Sequence, residues 1–284
     1  MRSMFLICLI VFFSCTGSHG RQSVATHIKD VSLVNPSGAT LDSRIKTPEG
    51  FARVNEKQGS FAAYLRETKL RPNGTLVHFY DGRIKPDNGV YVAVEQTDIG
   101  KRDLLQCADA VMCQRALYQY DTHQQEQIGF TFTSGFRADY SKWKEGYRVA
   151  VSGNDATWVK SAQPANTWNS FREYLDVIFA YCGTLSLSKE LKSVSYADLQ
   201  PGDVLIIGGS PGHAELVMDM AQNKDGKKIY MLSQGYMPAQ DIHILANLNN
   251  TAISPWYELN AQDKVIHTPE FNFGTNDVKR FASE

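Results

Sequence analysis

PGDVLIIGGSPGHAELVMDMA, residues 201–221, decides how the fold is read. A Pro-Gly-Asp turn leads into a short apolar strand at 203–207. A Gly-Gly-Ser-Pro-Gly turn reverses the chain, and a second apolar strand opens on His213. This strand alternates, with His213, Glu215 and Val217 on one face and Ala214, Leu216 and Met218 on the other. QNKDGKK, 222–228, is a strong turn signal, and a third strand, IYMLSQG, follows at 229–235. An antiparallel pairing that keeps apolar residues opposite one another sets Val217 near Leu232 and Glu215 near Gln234. Gln234 then shares a face with His213, directly opposite it or one diagonal step away. The glycines before His213 are expected to leave its ring uncovered, a setting suited to a base. The amide can hold one ring nitrogen in a fixed tautomer and leave the other for proton transfer. The same pair also fits a histidine tip making a single surface hydrogen bond.

Upstream of the hairpin, DLLQCADAVMCQRALYQY (103–120) has helical spacing at Leu104, Cys107, Ala108 and Val111. Asp103 and Gln106 resemble a capping box, which would start the helix at Asp103; a start near Gln106 is the alternative. Either start puts Cys107 in the early turns, where the helix dipole and free N–H groups favour a thiolate. NTWNSFREYLDVIFAYCG (166–183) predicts a second long helix stopped at Gly183. SFAAYLRETKL (60–70) predicts a short one capped by Ser60. Strands are expected at 75–80, 90–99, 128–135, 213–220 and 242–245. Helices and strands segregate along the chain, which predicts an α+β fold rather than an alternating α/β one.

Composition narrows the function classes. The chain has 284 residues, 43% of them hydrophobic and 21% charged, with a net charge of −1. Such a chain can bury a large core, and it carries no basic footprint for nucleic acid. Arg2 followed by an unbroken apolar run from Met4 to Phe13 reads as a signal peptide over residues 1–15. The run is shorter than the ~20 residues a spanning helix needs. Phe13-Ser14-Cys15 resembles a lipoprotein cleavage site, with a possible lipid anchor at Cys15; ordinary cleavage near Gly17 or Gly20 is the alternative. Residues 16–47 read as a flexible tether, and a single domain is expected over 48–284 with an insertion around 121–200. The expected location is therefore exported, in the periplasm or anchored in the envelope.

Cys107, Cys113 and Cys182 remain in the folded part, so at least one is unpaired in an oxidising compartment. Cys113 and Cys182 are expected in the core. A metal site on Cys107, Asp109 and His213 lacks any CxxC or HExxH spacing, and no cofactor is expected. His78 and His243 lie in β-rich runs and read as structural. Phe132, Tyr140, Trp143 and Trp168 fit either a core or a sugar- or peptide-binding groove.

The order cysteine on a helix, histidine opening the second strand of a hairpin, polar amide on the third strand resembles papain-like cysteine peptidases and amidases. It is most similar to the NlpC-type and CHAP-type enzymes of bacterial cell walls. The resemblance implies a papain-like fold with Cys107 as nucleophile, His213 as base and Gln234 as the residue that orients it. It also implies peptidoglycan peptide as substrate. This sequence departs from the usual pattern at Gln106, where those enzymes commonly have Asp. GFARV, HFYDGRIK, DLLQCADAVM, FTSGF, YCGTLSLSKEL, PGDVLIIGGSPGHAELVMDMA, GYMPAQDIHIL and SPWY resemble, over roughly 50–284, the bacterial family catalogued as domain of unknown function 4846, which carries no established activity. The contrasting expectation is a non-catalytic envelope lipoprotein that binds a wall fragment or a protein partner.

Overall fold

The structure, a computed structural model, describes residues 32–86 and 88–282. The folded unit begins at Leu33. The leader, Cys15 and the first half of the expected tether lie outside the described residues. The second half of that tether, from residue 33 on, is part of the domain. Leu41 and Ile45 are fully buried, and the Trp256 indole donates to the Lys46 carbonyl at 2.8 Å. The apolar residues are too widely spaced there for a sequence pattern to reveal them, so the polar composition misleads.

A nine-stranded sheet organises the chain. Its strands in chain order are β1 (Phe51–Arg53), β2 (Tyr91–Val94), β3 (Lys192–Ser193), β4 (Val204–Ile207), β5 (His213–Asn223), β6 (Lys228–Gln234), β7 (His243–Leu245), β8 (Tyr257–Leu259) and β9 (Val278–Arg280). The spatial order is β2-β7-β6-β5-β4-β9-β3, with β1 added to β5 and β8 to β6. Every pairing is antiparallel. The helices are α1 (Leu41–Arg44), α2 (Phe61–Arg66), α3 (Cys107–Asp121), α4 (Tyr140–Lys144), α5 (Trp168–Tyr181) and α6 (Thr184–Glu190). The architecture is α+β with an antiparallel sheet, as the segregated elements predict.

The 204–234 meander has the expected register. Leu205 faces Glu215 and Ile207 faces His213, and Val217 faces Leu232. A shift in register between Met231 and Leu232 accommodates one extra residue on β5. The two faces of these strands feed two cores. Ala214, Leu216, Met218 and Met231 pack with α3 and α5. Val217, Tyr230, Leu232 and Leu245 pack with Tyr257, Ile266 and Phe273 on the other side. β5 and β6 are therefore buried on both faces, which explains their nearly unbroken apolar runs.

Helix α3 is buried nearly all round, Gln114, Arg115 and Gln119 included. It lies between the sheet and the other helices, so its apolar residues do not form one stripe. Segments expected as strands at 75–80 and 128–135 are mostly irregular. The first makes only isolated bridges, His78 to Ile84 and Phe79 to Gln240, and the second contributes the short strand Gly129–Thr131. The region from 121 to 200 forms two hairpins, α4, α5 and α6. Helix α5 ends at Tyr181, and Gly183 caps the next helix instead of closing this one.

Candidate functional site

Cys107 is the first residue of α3. Gln106 has extended backbone, φ −97° and ψ −158°, and stands at the cap. Its carbonyl accepts from Ala110 N–H at 2.9 Å, and its own N–H donates to the Asp109 carboxylate at 3.1 Å. The helix thus starts at Gln106, one turn later than a cap at Asp103 would place it. Asp103 instead accepts from Gln106 Nε2 at 3.0 Å and from Ala239 N–H at 2.7 Å. These bonds fasten the chain after β6 to the start of the helix. Gly235 permits that approach: a β-carbon there would sit 2.8 Å from the Gln106 carbonyl oxygen and 3.1 Å from Ala110 Cβ.

His213 opens β5, and its side chain belongs to the face opposite α3. It is only 3% exposed. The preceding glycines do not leave the ring open, contrary to the sequence reading. A β-carbon on Gly212 would collide with the Gly209 and Ile207 carbonyl oxygens at 2.4 and 2.8 Å, and with Thr184 Oγ1 at 2.6 Å. The glycine serves close packing of the turn on itself and on α6. The ring lies among Tyr236, Phe271 and Phe273, with centroids 5.0, 5.0 and 6.0 Å away. Burial pushes the His213 imidazole down to about 4, and the Gln234 hydrogen bond works against that shift.

Three strands bring a row of polar groups together on this face. His213 Nε2 lies 2.8 Å from Gln234 Oε1, so the pair read from the hairpin pattern is in direct contact. Gln234 faces His243 in the β6–β7 register, and its Nε2 is 3.2 Å from His243 Nε2. The same Nε2 donates to Glu270 Oε2 at 2.6 Å. Lys85 Nζ donates to both Glu270 oxygens, at 2.8 and 2.6 Å, and lies 5.4 Å above the Tyr236 ring centre. Glu215, buried below His213, is pushed up to about 8 by burial, and its Oε1 lies 2.7 Å from the Thr268 hydroxyl.

Cys107 reaches this row from the other side. Its thiol faces the backbone N–H of Ala108 and that of Ala214, the residue next to His213. Its charge would also be felt by Tyr236, whose ring packs on His213. Cys107 is 5% exposed. Burial pushes its thiol up, and this outweighs the Ala108 and Ala214 N–H groups and its own, all of which favour the anion. The thiolate expected from a helix N-terminus is not the resting form. Among the described residues no hydrogen bond joins the sulfur to the His213 ring; the ring bonds Gln234 through Nε2, and Glu215 Oε1 lies 3.6 Å from that nitrogen.

Cys113 is fully buried and Cys182 half-buried, and neither forms a disulfide. Phe132, Tyr140 and Trp143 are core residues, whereas Trp168 is half-exposed. Among the described residues no group of three His, Cys, Asp or Glu side chains is placed to hold a metal ion. The sequence reading missed His243, Glu270 and Lys85 as neighbours of the site. His243 had a usable signal: in DIHIL it alternates with apolar residues like its partner strand. The eight residues between β6 and β7 hide the register. Glu270 and Lys85 come from distant loops with no local pattern.

A family model described as domain of unknown function (4846) matches residues 41–280. The chain belongs to this family. The match begins at the first residue of α1 and ends at the last residue of β9, so domain 4846 spans both faces of the sheet and every residue of the site. Comparison with curated proteins and with solved structures returns no match.

Proposed function

We propose that this member of the domain 4846 family is a papain-like cysteine hydrolase, a peptidase or amidase, with Cys107, His213 and Gln234 as its working residues. The observation that carries the reading is the 2.8 Å contact of His213 Nε2 with Gln234 Oε1. An amide oxygen only accepts, so the ring proton sits on Nε2 and Nδ1 keeps its lone pair. With Cys107 at the N–H of the next residue, Ala214, Nδ1 is the base for the thiol. It takes the thiol proton as sulfur attacks a carbonyl carbon. The resulting oxyanion is met by backbone N–H at the start of α3, that of Cys107 included. Nδ1–H then protonates the leaving amine or alcohol, which leaves a thioester. Water gives a proton to Nδ1, attacks the thioester and releases the acid and the thiol.

The resting pair is neutral, because burial raises the thiol and lowers the imidazole. Substrate therefore has to displace the Tyr236 and Phe271 rings that pack on His213. Peptidoglycan peptide is the proposed substrate, and the exported envelope, with or without a lipid at Cys15, the proposed location. Both rest on the resemblance to cell-wall enzymes and on the apolar leader. The same burial of both groups favours a second reading, a domain that binds a wall fragment or a protein partner without catalysis.

Alkylation separates the two. Burial slows iodoacetamide at Cys107 in the resting protein, but its labelling at about pH 7 is expected to depend on His213 and to fall in His213→Ala. Equal labelling of Cys107 in the parent and in His213→Ala would leave the binding reading standing.

A further inference from the structure

What holds the Gln234 amide with its oxygen toward His213? A glutamine amide has two ways round, and one of them would end the role of His213 as base. With NH2 facing the ring, His213 Nε2 would have to accept, the ring proton would move to Nδ1, and the lone pair for the thiol would be gone.

Two neighbours decide the orientation. His243 Nδ1 lies 2.8 Å from the Asp241 carbonyl oxygen, two residues back on the same chain. A carbonyl oxygen only accepts, so the proton of this neutral ring is on Nδ1 and Nε2 presents a lone pair. Burial keeps the ring neutral by pushing it down to about 4. The Nε2 lone pair faces Gln234 Nε2 at 3.2 Å, and Glu270 Oε2 faces the same nitrogen at 2.6 Å. Both neighbours demand donors, and the amide has two N–H groups on one nitrogen. Turning it round would set its oxygen against a carboxylate oxygen and a ring lone pair at once, with no proton between. Lys85 donates twice to Glu270 and holds that carboxylate in place. Tyr91, edge-on to His243 at 5.5 Å, packs against the ring.

We infer that His243 and Glu270 are positioning residues: they lock the Gln234 amide and through it place the His213 proton on Nε2, leaving Nδ1 free. The inference deepens the hydrolase reading and rests on it for its catalytic meaning, although the proton positions are measurable without it. A chain of hydrogen bonds from the Asp241 carbonyl through His243 and Gln234 thus runs across three strands to His213.

The test is nitrogen-15 NMR of the histidine rings in the full folded chain. The parent is expected to show His213 protonated at Nε2 and His243 protonated at Nδ1. His243→Leu combined with Glu270→Ala removes both acceptors and is expected to give a mixture of His213 tautomers. His243→Gln, whose amide oxygen can accept in place of the ring, is expected to keep the parent tautomer. Cys107 alkylation by iodoacetamide should fall several-fold in the double variant and stay near the parent rate in His243→Gln. Melting curves and backbone spectra report whether each variant folds. His213 protonated at Nδ1 in the parent would overturn the inference, and that measurement needs no variant. A single unchanged tautomer in a folded double variant would also overturn it. Should alkylation ignore His213→Ala while the tautomers are as stated, the hydrolase reading falls and the positioning stands.

Discussion

Ser233 and Gln234 are neighbours on β6 and serve two buried polar clusters on opposite faces of one sheet. Ser233 lies with Glu95 under α3, where Gln114 donates to the Glu95 carboxyl and Thr97 stands beside it. Gln234 lies with His213, His243, Glu270 and Lys85. Both clusters are buried, and both hold a carboxyl group raised by burial: Glu95 to about 7 and Glu215 to about 8. Burial and shifted titration therefore do not distinguish them. Direction does. The first cluster gathers around the Glu95 carboxyl, halfway along α3. The second is a chain of donors and acceptors running one way, and it ends beside the first residue of that helix, where Cys107 has the N–H of Ala214 before it. A polar cluster becomes a candidate for chemistry when its hydrogen bonds leave a lone pair at a nucleophile.

The largest expected contrast is kinetic. His213→Ala should slow Cys107 alkylation by roughly a hundredfold at neutral pH, because a positioned base is lost. Gln114→Ala, in the other cluster, should leave that rate unchanged and cost about 1–3 kcal/mol of stability by stranding Glu95. Chemical denaturation and timed labelling of the same samples check both halves. A rate loss in Gln114→Ala equal to that in His213→Ala would erase the distinction.

The pH dependence of stability comes next. Glu215 has a folded value raised to about 8 from 4.5. Between those values the folded state holds a proton that the unfolded chain has released, so stability is full below about 4.5 and falls as pH rises toward 8. His213 and His243 work in the opposite sense, since both are pushed down to about 4 from 6.5. Between 4 and 6.5 the unfolded chain holds the protons, and stability rises with pH. Glu95, raised to about 7 from 4.5, adds to the Glu215 effect up to about 7; the carboxyls and the histidines oppose one another up to about 6.5, above which the carboxyls are left alone. Glu215→Gln is expected to remove about 2 kcal/mol of the stability lost between pH 6.5 and 8. Urea midpoints at pH 6, 7 and 8 test it; parallel slopes in parent and variant would contradict a protonated Glu215.

Gln234→Ala should reduce Cys107 alkylation only several-fold, because the ring keeps its packing among Tyr236, Phe271 and Phe273 but loses its tautomer control. The smallest effect belongs to its neighbour. Ser233→Ala should cost about 1 kcal/mol in a denaturation curve, with labelling kinetics equal to the parent. A slower thiol in Ser233→Ala would mean that the two faces are coupled through β6.

The hairpin 203–235 was legible in the sequence because its information is local. Strand alternation sets which residues share a face, a Lys-Asp-Gly turn sets where the chain reverses, and matching apolar residues sets the parity. Together these placed Gln234 on the His213 side of the sheet, and the direct contact follows. Cys107 was legible as a residue in the early turns of a helix. The starting position was not, because Asp103 and Gln106 both carry cap-like side chains and only the docking of residue 239 on Asp103 decides between them. Tertiary structure alone decided the rest. Solvent exposure of a histidine beside glycines cannot be read from the turn, since the same missing β-carbon that would open a site also lets backbone close over it. The register of β7 depends on an eight-residue connection, and Lys85 and Glu270 arrive from loops 185 residues apart in sequence. The titration state of Cys107 followed burial rather than the helix terminus, because the cost of removing charge from water depends on everything packed around it.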